Sequence, residues 1–433
     1  MNWKEQYKSF LWISGFFIFA YFMPLGKANF DAAIFDALEL AKWYAQEHVL
    51  LCLVPAFFIA GTIAVFISQA SVVKYFGAKA KRWAAYLVAS VSGSILAVCS
   101  CTVLPLFTSI HKRGAGLGPA IAFLYSGPAI NILAIILTAR ILGMELGIAR
   151  IIGAVSFSII IGLIMAFIYR KEEAEKAKAQ LAMPEVPESR PFWQTASHFF
   201  ILVAILVFAT WGKPDSDSGF FAFIAAHKWL ITSIFGLALS ASLIFILKLN
   251  KIWVTIGTVV VAVLSFTFGD TPLIPYVAAI VILTLLLSFA KEEPNQWLGE
   301  SWDLAKLILP LLAAGVLFAG FLLGRPGGGN GIIPNEWISM LVGGNSLFSN
   351  FFASIVAAFM YFATLTEVPI LQGLLHNGMG QGPALALLLA GPALSLPNML
   401  VIRKVIGTQK TAVYVSLVVV MATISGMIYG AII

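Results

Sequence analysis

Apolar runs separated by short polar or charged segments recur along the whole chain. Most of these runs are close to the length that a helix needs to cross a bilayer, so the pattern predicts an all-α polytopic membrane protein with about 11 spanning helices. The expected spans are 10–24, 49–69, 121–141, 151–169, 199–211, 229–247, 252–268, 273–289, 307–323, 385–401 and 413–432.

Two further apolar segments carry the same interruptions. Residues 99–132 and 363–396 align without a gap, and their Pro and Gly-Pro positions coincide. Matching breaks in two distant apolar segments are typical of a duplicated transporter whose broken helices meet near the membrane midplane. We therefore expect two re-entrant or broken helical hairpins, with breaks at Pro105, Gly127, Pro128, Pro369, Gly391 and Pro392.

Charge distribution orients this duplicated unit. Basic residues flank the first hairpin at both ends, which places those ends in the cytoplasm by the positive-inside rule, whereas the second hairpin lacks such clusters. The two repeats are therefore expected to be inverted, and segment 27–48 to lie on the membrane surface as an amphipathic helix. One permease domain, 1–433, then divides into a first repeat 49–170, a cytoplasmic linker 171–195, intervening helices 196–290 and a second repeat 302–433.

Composition narrows the function classes. Hydrophobic residues make up 60% of the chain and charged residues 11%, so the net charge of +7 orients loops and predicts no nucleic-acid partner. With no cleavable signal and no Walker A motif, we expect a multi-pass inner (plasma) membrane transporter that is not an enzyme and needs no cofactor. Its transport is expected to run on an ion gradient or with a separate subunit. Its expected partners are a small-molecule substrate and the lipid bilayer, and a homo-oligomer is left open.

Cys99 and Cys101 are the first candidates for chemistry. In extended backbone at a hairpin tip both side chains point the same way and can bind one soft, thiophilic ligand, including a metalloid. Ser100 and Thr102 accompany them as candidate substrate contacts. A buried cysteine is otherwise a small hydrophobe, which is the interpretation we favour for Cys52.

Glu367 lies inside the second apolar hairpin. A carboxylate within the membrane costs about 2.5–3.5 kcal/mol and is by default a functional group, here a proton-coupling candidate. Capping of exposed backbone amides at the break is the alternative. Polar residues beside the breaks either repair the freed backbone or line the substrate path; these are Ser126, Asn131, Thr366, Ser395 and Asn398.

Several motifs together resemble one known family. CSC followed by TVLPL, the RGAGLGPAIAFLYSGPAIN block, TEVPI and GPALSLP are similar to the predicted permeases that include the ArsP and YraQ proteins. ArsP-type members are efflux permeases for trivalent organoarsenicals, so the resemblance implies arsenic resistance by efflux. A methylarsenic(III) species has two exchangeable positions, which the Cys99–Cys101 pair would satisfy. A permease for a small anion or other non-metalloid solute, a membrane thiol oxidoreductase and an ion channel are the alternatives.

Overall fold

The computed structural model is built from α-helices joined by short connections. It describes residues 3–66, 81–96, 100–130, 132–181, 190–211, 219–324, 331–332, 341–359, 367–376 and 378–433. Over these ranges it contains no β-strand, only an isolated bridge between Gly343 and Met379. The expected all-α class is confirmed.

The N-terminal part consists of a 19-residue helix followed by a continuous helical stretch of 39 residues. Helix α1 (Trp3–Tyr21) is followed by α2 (Ala28–Tyr44), a π-helical segment (Ala45–Leu53) and α3 (Val54–Phe66). The expectation of a surface helix over 27–48 is wrong, because α2 runs on into α3 and buries Ala33, Ala37 and Leu40. Its partner is a 31-residue helix of the second part of the chain, introduced below as α14.

Along the described part of the chain, two sets of five helices lie on either side of a group of six intervening helices. The first set is α4 (Arg82–Leu96), α5 (Ser100–Lys112), α6 (Leu117–Ala129), α7 (Ile132–Ile141) and α8 (Met144–Ile168). The intervening helices are α9 (Arg170–Leu181), α10 (Phe192–Ala209), α11 (Phe220–Phe245), α12 (Lys251–Thr267), α13 (Leu273–Ser288) and α14 (Glu293–Leu323). The second set is α15 (Leu347–Phe359), α16 (Glu367–His376), α17 (Gln381–Ala390), α18 (Leu396–Ile406) and α19 (Thr408–Ile432). Helix α9 occupies the first part of the expected linker 171–195.

The second set corresponds to the first at a spacing of 264 residues, the separation of Tyr125 and Leu389. Helices α8 and α19 begin and end at corresponding residues, and each follows a glycine in a left-handed conformation, Gly143 at φ +107° and Gly407 at φ +88°. Contacts between sets are reciprocal, since α16 packs on α7 while α5 packs on α18. Such reciprocal packing relates the two sets by an approximate two-fold axis.

The corresponding helices α8 and α19 pack against each other in opposite directions. Lys410, in the first turn of α19, lies 5.4 Å from the ring of Tyr169 at the end of α8 and donates a 2.5 Å hydrogen bond to Glu172 of α9. At the other end, Glu145 of α8 is within electrostatic reach of Tyr429 of α19. Antiparallel packing of corresponding membrane-length helices is the geometry of inverted repeats.

In each set, a corresponding pair of glycines allows two helices to pack closely. A Cβ on Gly162 would lie 2.7 Å from the Gly118 carbonyl, and a Cβ on Gly426 would lie 2.6 Å from the Gly382 carbonyl. Helix α6 can therefore approach α8, and α17 can approach α19, only because these four positions lack a side chain. Close approach through small residues is the usual basis of helix packing in membranes, where lipid provides no hydrophobic drive between helices.

The side chains on the outer surface show that the helices face lipid. Five helices in the described part of the chain are long and apolar enough to cross a bilayer, and five shorter apolar helices accompany them. Large apolar side chains lie exposed on these helices and at their ends, including Phe266 at 91% and Phe289 at 86%. Apolar surface on this scale is stable only in lipid. The protein is therefore a multi-pass membrane protein, while the total of about 11 spans stays a prediction.

Candidate functional site

The cysteine motif lies at the start of α5. Cys99 falls outside the described residues; Ser100 and Cys101 form the first described turn of the helix, and their side chain positions are not described. The expectation of non-helical backbone at both cysteines is therefore wrong for Cys101, and convergence of the two sulfurs stays a prediction. Thr102, the next residue, is buried.

The proline breaks are placed less uniformly than expected. Pro105 lies inside α5, so it does not end that helix; α5 continues to Lys112. Pro369 is the third described residue of α16, close to its described start. Gly127 and Pro128 belong to the last turn of α6, which ends one residue later at Ala129.

In the second set the corresponding interruption comes earlier. Gly391 is the C-cap of α17 and Pro392 follows it directly, and α18 begins only at Leu396. A proline cannot donate a backbone hydrogen bond, so helices end readily at such a position. The Gly-Pro pairs therefore end helices in both sets.

The polar residues beside these breaks satisfy backbone groups where they are described. Ser126 donates to the carbonyl of Ala89 at 2.8 Å. Ser395 is the N-cap of α18 and accepts a 3.4 Å hydrogen bond from the Asn398 backbone amide. The buried side-chain oxygen of Asn398 has no hydrogen-bond partner among the described residues. Asn131 and Thr366 lie outside the described residues.

Glu367 forms a buried ion pair. Its Oε1 lies 2.5 Å from Nη2 of Arg150, and the two side chains are 1% and 0% exposed. Arg150 lies on α8 of the first set and Glu367 on α16 of the second, so the pair joins the two sets. At this separation the attraction between the two opposite charges offsets part of the cost of removing both from water.

Arg150 is fixed by two further contacts, both within the first set. Its Nη1 donates to the hydroxyl of Thr138 at 2.8 Å, and its Nε donates to the carbonyl of Ala129 at 3.3 Å. Ala129 is the last residue of α6, where carbonyls have no partner within the helix and the helix dipole is negative. The arginine thus satisfies the end that the Gly-Pro break creates.

Sequence reasoning overlooked Arg150. The expected span began at Ile151, which put the arginine in a loop, whereas α8 begins at Met144 and places it two turns inside the helix. A longer alignment of the two repeats would have revealed it, because Gly143 and Gly407 also correspond. Arg150 then aligns with Tyr414 inside an apolar helix, where an arginine requires a partner.

Tyr125 lies where the two sets meet. Its hydroxyl donates a 3.0 Å hydrogen bond to the carbonyl of Leu389, the residue that corresponds to it in the second set. A residue can contact its own counterpart only near the axis that relates the two sets. The break in α6, Arg150 and Glu367 therefore lie at the centre of the duplicated unit. Among the described residues, no group of three or more His, Cys, Asp or Glu side chains could hold a metal ion.

Comparison with known proteins agrees with this architecture. A family model described as "Predicted permease" (ArsP_1) matches residues 35–431. The chain belongs to this permease family. It is 41% identical over 399 residues to the UPF0718 protein MJ0584 of Methanocaldococcus jannaschii, covering 90% of this chain and 93% of that protein. It is 26% identical over 175 residues to the UPF0718 protein YraQ of Escherichia coli, covering 36% of this chain and 46% of that protein. No solved structure matches this permease.

Proposed function

We propose that this permease is a secondary-active exporter of a small thiophilic solute, with trivalent organoarsenicals as the solute class. One observation carries the proposal: α5 and α16, which begin near the CSC motif and at Glu367, are corresponding helices, and each packs on the helix that follows the Gly-Pro break of the other set. In this proposal the thiols and the carboxylate act in one central region between the two repeats, and the packing of these two helices supports that placement.

The thiol pair supplies the solute preference. Thiolates bind soft, thiophilic partners and discriminate against hard cations. Two thiols are too few for a closed structural metal site, which takes four ligands, but they suit a ligand with two exchangeable positions. A monomethylated arsenic(III) species has that valence, and its remaining methyl group is compatible with the apolar surroundings of α5.

Glu367 supplies the coupling to protons. A thiol must lose its proton to bind a metalloid, so each binding event releases protons that a nearby base can take. Glu367 is the buried acid of the described central region. In this proposal its protonation alternates with solute binding, which links export to the proton gradient.

An arsenic-sensitive bacterium provides the test. Cells expressing the intact permease are expected to accumulate less methylarsenite and to survive higher concentrations than cells without it, and Cys99→Ser/Cys101→Ser is expected to abolish both effects. Cys52→Ser is the matched control, since this third cysteine is buried in the π-helical segment of the N-terminal part.

The remaining outcomes separate the alternatives. Protection that survives the double serine variant would retain efflux and remove the cysteines from the mechanism. Absence of protection by the intact, membrane-inserted protein would overturn the organoarsenical assignment in favour of another solute. A reversible Cys99–Cys101 disulfide needed for function would support thiol redox chemistry instead.

A further inference from the structure

The Arg150–Glu367 ion pair is asymmetric in its attachments. Arg150 has two hydrogen bonds within its own set, to Thr138 and Ala129, and a single ionic contact to the other set. The hydroxyl of Thr138 in turn donates to the carbonyl of Ala134 at 2.6 Å, which fixes it on α7. The cation is therefore anchored in the first set, and Glu367 is the partner that can leave.

The buried ion pair occurs on one side of the two-fold axis only. In the other half of the duplicated unit, the positions of Arg150, Glu367 and Thr138 are occupied by Tyr414, Val103 and Ile402. No ion pair can therefore form at the corresponding place. The ion pair is therefore a feature of one repeat interface and is not a consequence of the duplicated fold.

The surroundings of Glu367 contain few other titratable groups. Helix α16 packs on α7 and α17; α17 has no ionisable residue, and α7 carries one, Arg140, two residues beyond Thr138. His376 is at the opposite end of α16 itself. Around Arg150, the nearby titratable groups are Tyr125 on α6 and, next to it, Tyr414 on α19. Among the described side chains, Arg150 is the charge that acts on Glu367.

We propose that Arg150 is a positioning residue that holds α16 against α7 and α8 while Glu367 is ionised and releases α16 when Glu367 takes up a proton. This inference rests on the proposed function, in which Glu367 is the coupling acid. The proton comes from water or from a cysteine thiol and ends on the carboxylate, and Arg150 keeps its own proton throughout.

The anchoring explains why the pair can open. A buried arginine without any partner would be prohibitively costly, and a pair with no other contacts would have to stay closed. Arg150 retains the Thr138 hydroxyl and the Ala129 carbonyl after Glu367 becomes neutral. Opening therefore exchanges one ionic contact for a hydrogen-bonded cation and a neutral acid.

Hydrogen exchange on the purified, full-length permease in lipid nanodiscs tests this inference without any solute. After correction for intrinsic rates, amides of α16 in the wild type are expected to exchange about tenfold faster at about pH 5 than at about pH 8, equivalent to about 1.4 kcal/mol of lost protection. Glu367→Gln is expected to exchange fast at both pH values. Glu172→Gln is the control and should behave as wild type, because it removes an exposed carboxylate that pairs with Lys410, outside the central region.

A conservative variant separates positioning from structure. Arg150→Lys keeps the cation and is expected to retain pH-dependent exchange of α16, whereas Arg150→Met is expected to lose it. If Arg150→Met does not fold, Arg150→Met/Glu367→Leu replaces the pair by apolar groups, a change that proteins commonly tolerate, and is expected to exchange at one rate at both pH values. Equal wild-type exchange at both pH values, or pH-dependent exchange in Glu367→Gln, would overturn the proposal.

Transport distinguishes this inference from the proposed function. If the wild type does not export methylarsenite, the exchange experiment still decides whether the pair opens with protonation. If Glu367→Gln exports methylarsenite with the wild-type pH profile, the positioning role is wrong while efflux stands.

Discussion

Removing one member of the Arg150–Glu367 pair should cost far more stability than removing both. The two side chains are 0% and 1% exposed, so water cannot replace a lost partner. Breaking a buried pair by deleting one member typically costs about 3–5 kcal/mol, whereas replacing both members by apolar groups is often neutral or stabilising. The proposed single variants are Arg150→Met and Glu367→Leu, and the double variant combines both substitutions.

The neighbouring contacts rank the two single variants. Glu367→Leu leaves Arg150 with its 2.8 Å and 3.3 Å hydrogen bonds to neutral groups, and we expect a loss of about 3 kcal/mol. Arg150→Met strands the carboxylate and also deprives Thr138 and Ala129 of a donor, which adds about 1 kcal/mol for each hydrogen bond. The double variant removes the stranded charges, so the non-additive part is expected to exceed about 2 kcal/mol.

The assay is denaturant unfolding of the purified permease in mild detergent at neutral pH, followed by tryptophan fluorescence. The wild type, the two single variants and the double variant form a double-mutant cycle. Arg150→Lys serves as a control that keeps the positive charge. Additive losses, or single variants that each lose less than about 1 kcal/mol, would refute the description of these side chains as a tightly coupled buried pair.

Three smaller predictions follow from packing, surface charge and burial. Gly426→Ala should destabilise by about 1–3 kcal/mol because its Cβ would lie 2.6 Å from the backbone of α17, whereas Gly236→Ala, with no atom within 4 Å, should be neutral or stabilising in a thermal melt. Hydrogen bonding from Lys410 lowers the pKa of Glu172, so Glu172→Gln should lose at most about 1 kcal/mol near neutral pH, and the difference should vanish as pH falls through that lowered pKa. The buried hydroxyl of Tyr414 has no hydrogen-bond partner among the described residues, so Tyr414→Phe should raise the melting temperature; a fall would assign the hydroxyl a partner.

Helix ends were predictable where backbone chemistry acts locally. The Gly-Pro pairs were expected as breaks, and they end α6 and α17 because proline removes a backbone donor. Gly143 and Gly407, which precede α8 and α19 with positive φ, are equally local signals, although the expected spans began only at residues 151 and 413. These effects depend on a few neighbouring residues, so they are visible in a single sequence. The repeat itself was predictable for the same reason, since identical local signals recur at one spacing.

What depended on distant partners was not predictable. The polar segment before α3 looked like a surface helix because its burial is decided by α14, more than 200 residues away in the chain. Pro105 looked like a helix break, but α5 continues through it, held on both sides by α3 and α6. Glu367 was identified as unusual from its apolar surroundings, but its partner lies on the other repeat and no local pattern connects the two.

The asymmetry of the central pair bears on how a duplicated scaffold becomes a directional carrier. Inverted repeats make the inward-facing and outward-facing states nearly equivalent in packing, since exchanging the conformations of the two repeats converts one state into the other. The proposed release of α16 removes that equivalence, because protonation of Glu367 would change the contacts of α16, whereas α5 has Val103 at the corresponding position and no carboxylate to protonate. A ligand can shift an equilibrium only by the difference in its affinity for the two states. In the proposed mechanism the proton acquires that difference from Arg150 on α8, which holds α16 only while Glu367 is ionised, and the solute and proton gradients then decide the direction of net transport.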